Sequence, residues 1–364
     1  MARIIHAADF HLDSAFGGLS AEKARERRRE SRELVHRLSG LAQAEGAELV
    51  LLSGDLFDGE RVYPETLEAL KAALAGLDCP VFISPGNHDP YTAYSPYAAG
   101  PWPENVHIFR HSALESVALP DLNCVVHGAA FTEPEKAGQV LSGFSVPRDG
   151  QLHLLCLHGD VGVPNSRYGP ILREQLARCG AHYAALGHIH QCSGLRQEGG
   201  TVWAYPGCPE GRGFDELGDK GVLAGNVTRD GIEMRFVPLC RRRYWILEAD
   251  VTGVSPRQAL EAALPPTASE DICRILFKGE TDEVAVDLPA LESAFRDRCY
   301  SLELRDATRP AQSLWARAEE DTLRGLFLRE LKGQYDAAPD EAAREQIALA
   351  VRFGLAALDG RDLG

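Results

Sequence analysis

The sequence lacks the features that would mark a secreted, membrane-bound or zinc-ribbon protein. It contains no Cys-x-x-Cys pair, and its nine cysteines are scattered and odd in number, which predicts reduced thiols rather than a disulfide framework. No apolar run approaches the roughly 18 residues that cross a bilayer. The first residues show no apolar segment followed by a cleavage site. We therefore expect a cytoplasmic protein with no membrane partner.

Basic charge is also scarce. The chain has 53 acidic against 38 basic residues and a formal net charge of −15, which argues against a non-specific nucleic-acid binder, although net charge does not describe local patches. Residues 23–33 interleave acids and bases, and we interpret them as a solvated helix face, with a homodimer surface as the alternative. The basic triplet Arg241–Arg243 is interpreted equally as a DNA contact or as a solvated linker.

Apolar residues are abundant, and they follow alternating strand and helix patterns. Its 364 residues, 45% of them hydrophobic, are enough for two domains. Strand, helix, strand, helix and strand follow one another from residue 3, which predicts right-handed parallel crossovers and an α/β sandwich. Three later segments, at 201–205, 221–228 and 232–238, are predicted to be antiparallel strands that close the first domain. The expected division is a domain over 1–240, a small α/β domain over 241–310 and amphipathic C-terminal helices over 311–364.

Polar clusters stand at the ends of the predicted strands, where α/β sheets bind ligands. They offer oxygen and imidazole nitrogen but no thiolate, a donor set that suits manganese, iron or catalytic zinc. Side chains alternate along an extended segment, so Asp-x-His and His-x-His each direct two donors to one side. The clusters are Asp9-x-His11, Gly54-Asp55-x-x-Asp58, Gly86-Asn87-His88-Asp89, His158 and Gly187-His188-x-His190.

These clusters offer more donors than one metal needs and predict two divalent ions, with manganese preferred. Two-metal sites of this kind act on phosphate esters, and water that loses a proton between the ions is the nucleophile. Asp55 is the natural bridge, because a carboxylate has two oxygens to share. Gly86 is expected to permit a turn that other residues resist, and Asp89 is expected to brace that turn.

In this order the motifs resemble the signature of calcineurin-like metallophosphoesterases. The resemblance implies a four-layer α/β/β/α sandwich with two metals. It also implies that His88 is a catalytic group outside the ligand set, which stabilises the transition state or protonates the leaving oxygen, and that Asp58 orients it. The implied ligands are Asp9, His11, Asp55 and His190 for one metal, and Asp55, Asn87, His158 and His188 for the other.

Longer segments resemble the SbcD-type DNA repair nucleases, and among them the YhaO subgroup most. They are residues 6–14 and 205–212, followed by 218–221. This resemblance implies phosphodiester hydrolysis on DNA as an exonuclease or endonuclease, with 241–310 as a DNA-capping domain. It further implies an SbcC-like coiled-coil ATPase as partner of the C-terminal helices, although those helices can equally pack on the first domain. Arg212 is the candidate substrate-binding residue.

Two other functions stay open at this point. The active-site residues equally allow a phosphodiesterase or nucleotidase for small nucleotides. A non-catalytic scaffold that retains the fold is a third hypothesis, disfavoured because every ligand position is filled. Asp58 is followed by Gly59 rather than by the arginine of the protein phosphatase branch, so a phosphoprotein substrate is disfavoured.

Overall fold

The computed structural model describes residues 1–281, 286–311 and 315–358, and the chain divides into two compact units, Met1–Arg243 and Tyr244–Gly364. Residues 282–285 of the predicted capping domain lie outside the described residues. So do residues 312–314 and 359–364 of the predicted C-terminal region.

The first unit contains two six-stranded sheets and three helices. Its first sheet has the order β12-β11-β1-β2-β3-β4 and its second the order β5-β6-β7-β8-β10-β9. The strands are β1 (Ala2–Ala7), β2 (Leu49–Leu52), β3 (Val81–Ile83), β4 (Val106–Ile108), β5 (Glu115–Leu119), β6 (Cys124–Gly128), β7 (Leu152–His158), β8 (Tyr183–Gly187), β9 (Arg196–Glu198), β10 (Thr201–Ala204), β11 (Gly221–Val227) and β12 (Ile232–Pro238), and the helices are α1 (Ala21–Glu45), α2 (Pro64–Ala75) and α3 (Arg173–Cys179).

The two sheets pack face to face, with helices on both outer faces. Ile4 of the first sheet and Val126 of the second belong to one buried apolar cluster between the sheets. Leu34 of α1 packs in a second cluster on the outer face of the first sheet, and Leu176 of α3 packs in a third on the outer face of the second. Because strand side chains alternate between faces, each sheet supplies two cores. The predicted four-layer α/β/β/α sandwich is confirmed.

Local signals set the limits of the long helix α1 as expected. The Ser20 side chain accepts a hydrogen bond from the Lys23 amide at its start, and Gly46 ends it with a left-handed φ of 61°, as N-caps and C-terminal glycines commonly do.

The prediction that 201–205 joins an antiparallel run is wrong. β10 pairs in parallel with β8 in the second sheet, because β9 intervenes and turns the chain back. β11 and β12 are antiparallel, as predicted.

The second unit builds a small parallel sheet and a helical hairpin. Its three-stranded sheet has the order β13-β14-β16, all parallel. The two C-terminal helices pack around Leu328, Val351 and Leu355. Along the described residues no helix is long and apolar enough to cross a membrane. The elements are β13 (Tyr244–Asp250), α4 (Pro256–Ala263), β14 (Ile272–Lys278), β15 (Glu280–Thr281), α5 (Leu288–Phe295), β16 (Ser301–Asp306), β17 (Arg309–Pro310), α6 (Leu323–Asp336) and α7 (Glu341–Leu358).

A buried network of ion pairs connects α1 to two segments of the chain, one before β11 and one after β12. Arg27 is fully buried and contacts Glu30 and Glu210, each at 2.7 Å. Arg242 is also buried and lies 2.6 Å from Glu30. Buried charges persist only when they are paired, and here the pairs fasten the segment after β10 to the first helix.

This network corrects two predictions from charge. The 23–33 segment is not a purely solvated helix face, since Arg27 and Glu30 face inward. The basic triplet is not a solvated linker, because Arg242 is buried against Glu30 at 2.6 Å, while Arg241 pairs with Glu30 at 3.4 Å and Arg243 with Asp219 at 3.7 Å. A DNA contact by the part-exposed Arg241 and Arg243 stays a prediction. A run of like charges in sequence does not reveal partners that are distant along the chain.

Burial of His6 in β1 predicts a pH-dependent stability. Its Nδ1 lies 2.8 Å from the Tyr183 hydroxyl and its Nε2 3.2 Å from the Leu186 carbonyl. Burial lowers the pKa of His6 to about 3. In the unfolded chain this histidine has an ordinary pKa of about 6.5. Between pH 3 and pH 6.5, approximately, His6 is therefore protonated in the unfolded chain but neutral in the folded chain.

We expect this residue to reduce the free energy of unfolding by about 1.4 kcal/mol per pH unit as the pH falls below about 6.5. The measurement is urea unfolding with EDTA between about pH 7 and pH 4. His6→Gln should show a shallower decline than the wild type, while His111→Gln, at an exposed histidine, should keep the wild-type slope. Parallel declines for all three proteins would contradict the role of His6.

Candidate metal centre

All of the predicted ligand residues gather at one edge of the sandwich. Five strands of the two sheets, β1, β2, β3, β7 and β8, end there with their carboxyl termini, so side chains from five strand ends converge. Asp9 and His11 follow β1, Asp55 and Asp58 follow β2, Asn87 and His88 follow β3, His158 ends β7, and His188 and His190 follow β8.

Unusual backbone conformations aim these side chains. Asp9, His11, Asp55 and His188 have φ of 56°, 45°, 50° and 110°, a region that non-glycine residues rarely enter at a cost of about 1–3 kcal/mol each. Hydrogen bonds between loops hold the conformations, since the amide of Asp9 donates to the Gly54 carbonyl and that of His11 to the Asp55 carbonyl, each at 3.0 Å. The first two loops therefore continue the pairing of β1 with β2.

One donor set contains Asp9, His11 and His190, whose ligand atoms all lie within 4.8 Å of one another. The two Nε2 atoms of His11 and His190 are 3.1 Å apart. The Oδ2 atom of Asp55 is 3.6 Å from the same His11 nitrogen. Imidazole nitrogens and carboxylate oxygens that face one another in this way suit a divalent cation between them.

A second donor set contains Asp55, His158 and His188, again within 4.8 Å. The Asn87 Oδ1 atom joins it, 3.0 Å from His158 Nε2 and 3.1 Å from His188 Nδ1. Asp55 Oδ2 lies 3.4 Å from His158 Nε2. The residues present thus fit two divalent cations, with Asp55 common to both.

A single oxygen of Asp55 lies near both donor sets. Its Oδ1 accepts a hydrogen bond of 3.0 Å from the backbone amide of His88, while Oδ2 faces His11 on one side and His158 on the other. Oδ1 is thus occupied by a backbone donor, and Oδ2 is the oxygen that faces both donor sets. Holding Oδ1 fixes the carboxylate plane and so aims Oδ2.

Gly86 is needed for space rather than for an unusual turn. It is not among the residues with positive φ. A Cβ atom at this position would lie 2.1 Å from Asp55 Oδ1, much closer than any real contact, so the predicted reason is corrected. Asp89 braces the turn, accepting hydrogen bonds from the amides of Gly86 at 2.8 Å and Phe57 at 3.1 Å.

Hydrogen bonds from the far side of each ring select the nitrogen that faces a cation. The Nδ1 atoms of His11, His158 and His190 lie 3.0 Å, 2.9 Å and 2.6 Å from the Asp58 carboxylate, the Ser53 carbonyl and the Glu216 carboxylate. Because these acceptors need a proton on Nδ1, each of the three rings turns its Nε2 toward the site. His188 is reversed, with Nδ1 inward and Nε2 3.6 Å from Asp160.

Asp58 contacts two histidines, its predicted partner His88 and the ligand residue His11. Asp58 Oδ1 is 3.9 Å from His88 Nδ1, beyond hydrogen-bond length, but 3.0 Å from His11 Nδ1. Asp58 therefore orients a ligand histidine, and Ser14 donates to its other oxygen at 3.1 Å. The His88 side chain remains 47% exposed, which leaves it accessible from solvent.

Glu216 is the residue that sequence reasoning missed. It is buried, contacts His190, and accepts hydrogen bonds from the amide and the guanidinium of Arg212 at 2.7 Å and 2.9 Å. Arg212 also reaches Asp58 at 3.4 Å, so the predicted substrate-binding arginine lies between the two carboxylates that orient ligand histidines. Glu216 and His190 are 26 positions apart, so no local sequence spacing predicts their contact.

Charge at the site is balanced by a pairing of Asp55 with His158. Burial alone would raise the pKa of Asp55, but His158 and His11 lower it below the ordinary value. Burial lowers the pKa of His158, but Asp55 and Asp9 raise it to about 9. Burial lowers the pKa of His11 and of His188 to about 4. At neutral pH the site thus offers ionised Asp55 and neutral His11 and His188.

An α/β/β/α sandwich whose sheet edges present two nitrogen and oxygen donor sets with one common carboxylate defines a metallophosphoesterase. Residues 2–192 match the sequence profile of the calcineurin-like phosphoesterase family. The chain belongs to that family, which binds two divalent metals and hydrolyses phosphoesters.

Three relatives extend the similarity beyond the matched region. The chain is 30% identical over 316 residues to the uncharacterized metallophosphoesterase YhaO of Bacillus subtilis (strain 168), covering 78% of this chain and 74% of that protein. It is 27% identical over 331 residues to the SbcD component of the SbcCD nuclease of Rhodobacter capsulatus, covering 74% and 76%. It is 23% identical over 343 residues to the DNA double-strand break repair protein Mre11 of Methanopyrus kandleri, covering 85% and 72%.

Gly86→Ala should displace Asp55 and weaken both donor sets, because the added methyl overlaps Oδ1. We expect the apparent manganese affinity to fall by about tenfold or more and the free energy of unfolding by about 1–3 kcal/mol, measured by calorimetry and urea unfolding. Gly59→Ala is the matched control, since a Cβ there meets nothing within 4 Å. Wild-type manganese affinity in Gly86→Ala would contradict the steric account.

Proposed function

We propose that this protein hydrolyses phosphodiester bonds of DNA, as an exonuclease or endonuclease in DNA repair. The proposed cofactors are two divalent metal ions, and manganese is preferred over iron or zinc. The observation that supports this most is the Asp55 Oδ2 atom between two donor sets, beside an accessible His88. When bound, two such ions activate a water for attack and neutralise the charge of the phosphate.

The residue roles follow from their positions at the site. We assign one ion to the set that includes His190 and the other to the set that includes Asn87, with Asp55 in both. Asp58 and Glu216 hold ligand histidines in the correct tautomer. The proposed ligands are Asp9, His11, Asp55 and His190 for the first ion, and Asp55, Asn87, His158 and His188 for the second.

His88 is the proposed acid for the leaving oxygen. Its backbone amide is tied to Asp55, while its ring lies 4.7 Å from the ring of His11, centre to centre, and is about half exposed. A ring in that position can donate a proton to an oxygen of a phosphate bound at the two ions. Arg212, tethered by Glu216, is proposed to bind a non-bridging phosphate oxygen, as bidentate guanidinium groups commonly do.

Similarity to named relatives supports a DNA substrate, and exposed apolar residues of the second unit support a protein partner. Two relatives carry the names of a nuclease component and a DNA double-strand break repair protein. The C-terminal hairpin leaves Leu323, Leu326, Leu349 and Phe353 exposed at 48–69%, more apolar surface than a hairpin in water needs. We propose that an SbcC-like coiled-coil ATPase covers it, with a homodimer as the competing occupant, and that the protein works in the cytoplasm on DNA.

The experiment that tests the function compares substrate classes. Purified protein with manganese should degrade end-labelled DNA, and addition of EDTA should abolish the activity. The same preparation should turn over cyclic nucleotides more slowly. Robust hydrolysis of cyclic nucleotides with none on DNA, even with the ATPase partner present, would instead make the protein a small-nucleotide phosphodiesterase.

His88→Ala should separate metal binding from turnover. Because His88 is outside both donor sets, the variant should retain two manganese ions per chain by elemental analysis, yet lose about 10²–10⁴-fold in kcat. His111→Ala, at an exposed histidine away from the site, should keep both properties. Loss of manganese from His88→Ala would overturn the assigned role.

A further inference from the structure

A cavity of about 760 Å³ adjoins the metal centre on the side of His190. His188 and His190 contribute to its lining, so the cavity and the ligand sets share a wall. Its volume lies in the range of about 300–1,000 Å³ that is typical of small-molecule sites. None of the residue roles assigned above uses this space.

The lining is apolar where it is most accessible. Ile189, between the two ligand histidines, is 38% exposed and Leu217 is 43% exposed, while Phe214 and Phe236 form half-buried parts of the same lining. Exposed apolar side chains grouped beside a catalytic centre indicate a surface that is covered when substrate binds.

The wall that carries Phe214 and Leu217 is firmly anchored. Between them Glu216 contacts His190 at 2.6 Å, and beyond them the buried Lys220 donates from Nζ to the His190 carbonyl at 3.2 Å. On the other side Glu210 is held in the ion network with Arg27. A ligand in the cavity therefore meets a preorganised surface, which lowers the entropic cost of binding.

Charge in the lining disfavours a phosphate as its occupant, because Asp215, Glu216 and Asp219 outnumber the one lysine, Lys220, whose ammonium group donates to the His190 carbonyl. Asp215 and Asp219 are exposed carboxylates in the same lining, and like charges repel. An uncharged planar ring fits better, since every base can stack on apolar and aromatic side chains, and exocyclic amino groups can donate to the carboxylates.

We propose that this cavity is a nucleobase subsite, which receives the base of the nucleotide whose phosphate is cleaved. The inference rests on the proposed phosphodiesterase function and adds to it a contact with the substrate that is independent of the ions. Leu217 and Phe214 are the specificity-determining residues of the subsite.

The test uses two esters that differ only in the base. They are the p-nitrophenyl esters of deoxyadenosine 5′-phosphate and of 2-deoxyribose 5-phosphate, which carries no base. Base stacking should give the first ester a KM lower by about tenfold, and Leu217→Ala or Phe214→Ala should remove most of this difference by raising the KM of the ester that carries the base. Leu195→Ala is the control, because Leu195 is similarly exposed at 39% but lines a different cavity.

A binding measurement separates the subsite from catalysis. Calorimetry with EDTA should show tighter binding of deoxyadenosine monophosphate than of deoxyribose 5-phosphate, and Leu217→Ala should abolish the difference. Equal binding of the two, or an equal loss on both esters in the variants, would overturn the subsite. A preference for the nucleotide in binding together with no hydrolysis of DNA would retain the subsite and overturn the proposed function.

Discussion

The hydrogen bond from the His88 amide to Asp55 Oδ1 is the constraint on which the rest of the site depends. It holds a buried carboxylate so that its other oxygen lies 3.6 Å from His11 and 3.4 Å from His158. The missing side chain at Gly86 leaves room for Oδ1, and Asp89 fixes the turn that carries the amide. The strained backbone conformation is found at Asp55, the residue whose Oδ2 atom faces both donor sets.

Contacts behind the imidazole rings convert the histidines into directed ligands. Asp58, Glu216 and the Ser53 carbonyl each accept a hydrogen bond from a ring nitrogen and leave the opposite nitrogen for a cation. Arg212 lies between the two carboxylates and offsets their charge. The buried pairs of Arg27 and Arg242 fasten the segment that carries Glu216, so the ligand geometry is supported by contacts well away from the site.

Sequence patterns predicted the elements and the ligand clusters, because strand alternation, helix caps and Asp-x-His spacing act over short distances. They did not predict the partners of those residues. Glu216 meets His190, Asp58 lies closer to His11 than to His88, and Arg242 meets Glu30 across 212 positions. The same limit applies to β10, whose direction depends on the hairpin with β9. Contacts between distant residues are set by packing of the two sheets, which no local spacing encodes.

The central claim is that two bound ions would share the Asp55 carboxylate, and electron paramagnetic resonance of the protein titrated with Mn²⁺ tests it most directly. Ions joined through one oxygen are magnetically coupled. The account predicts that the hyperfine pattern of an isolated ion gives way to a coupled spectrum as the second equivalent binds. Two equivalents that bind tightly and retain the spectra of isolated ions would contradict a shared carboxylate oxygen.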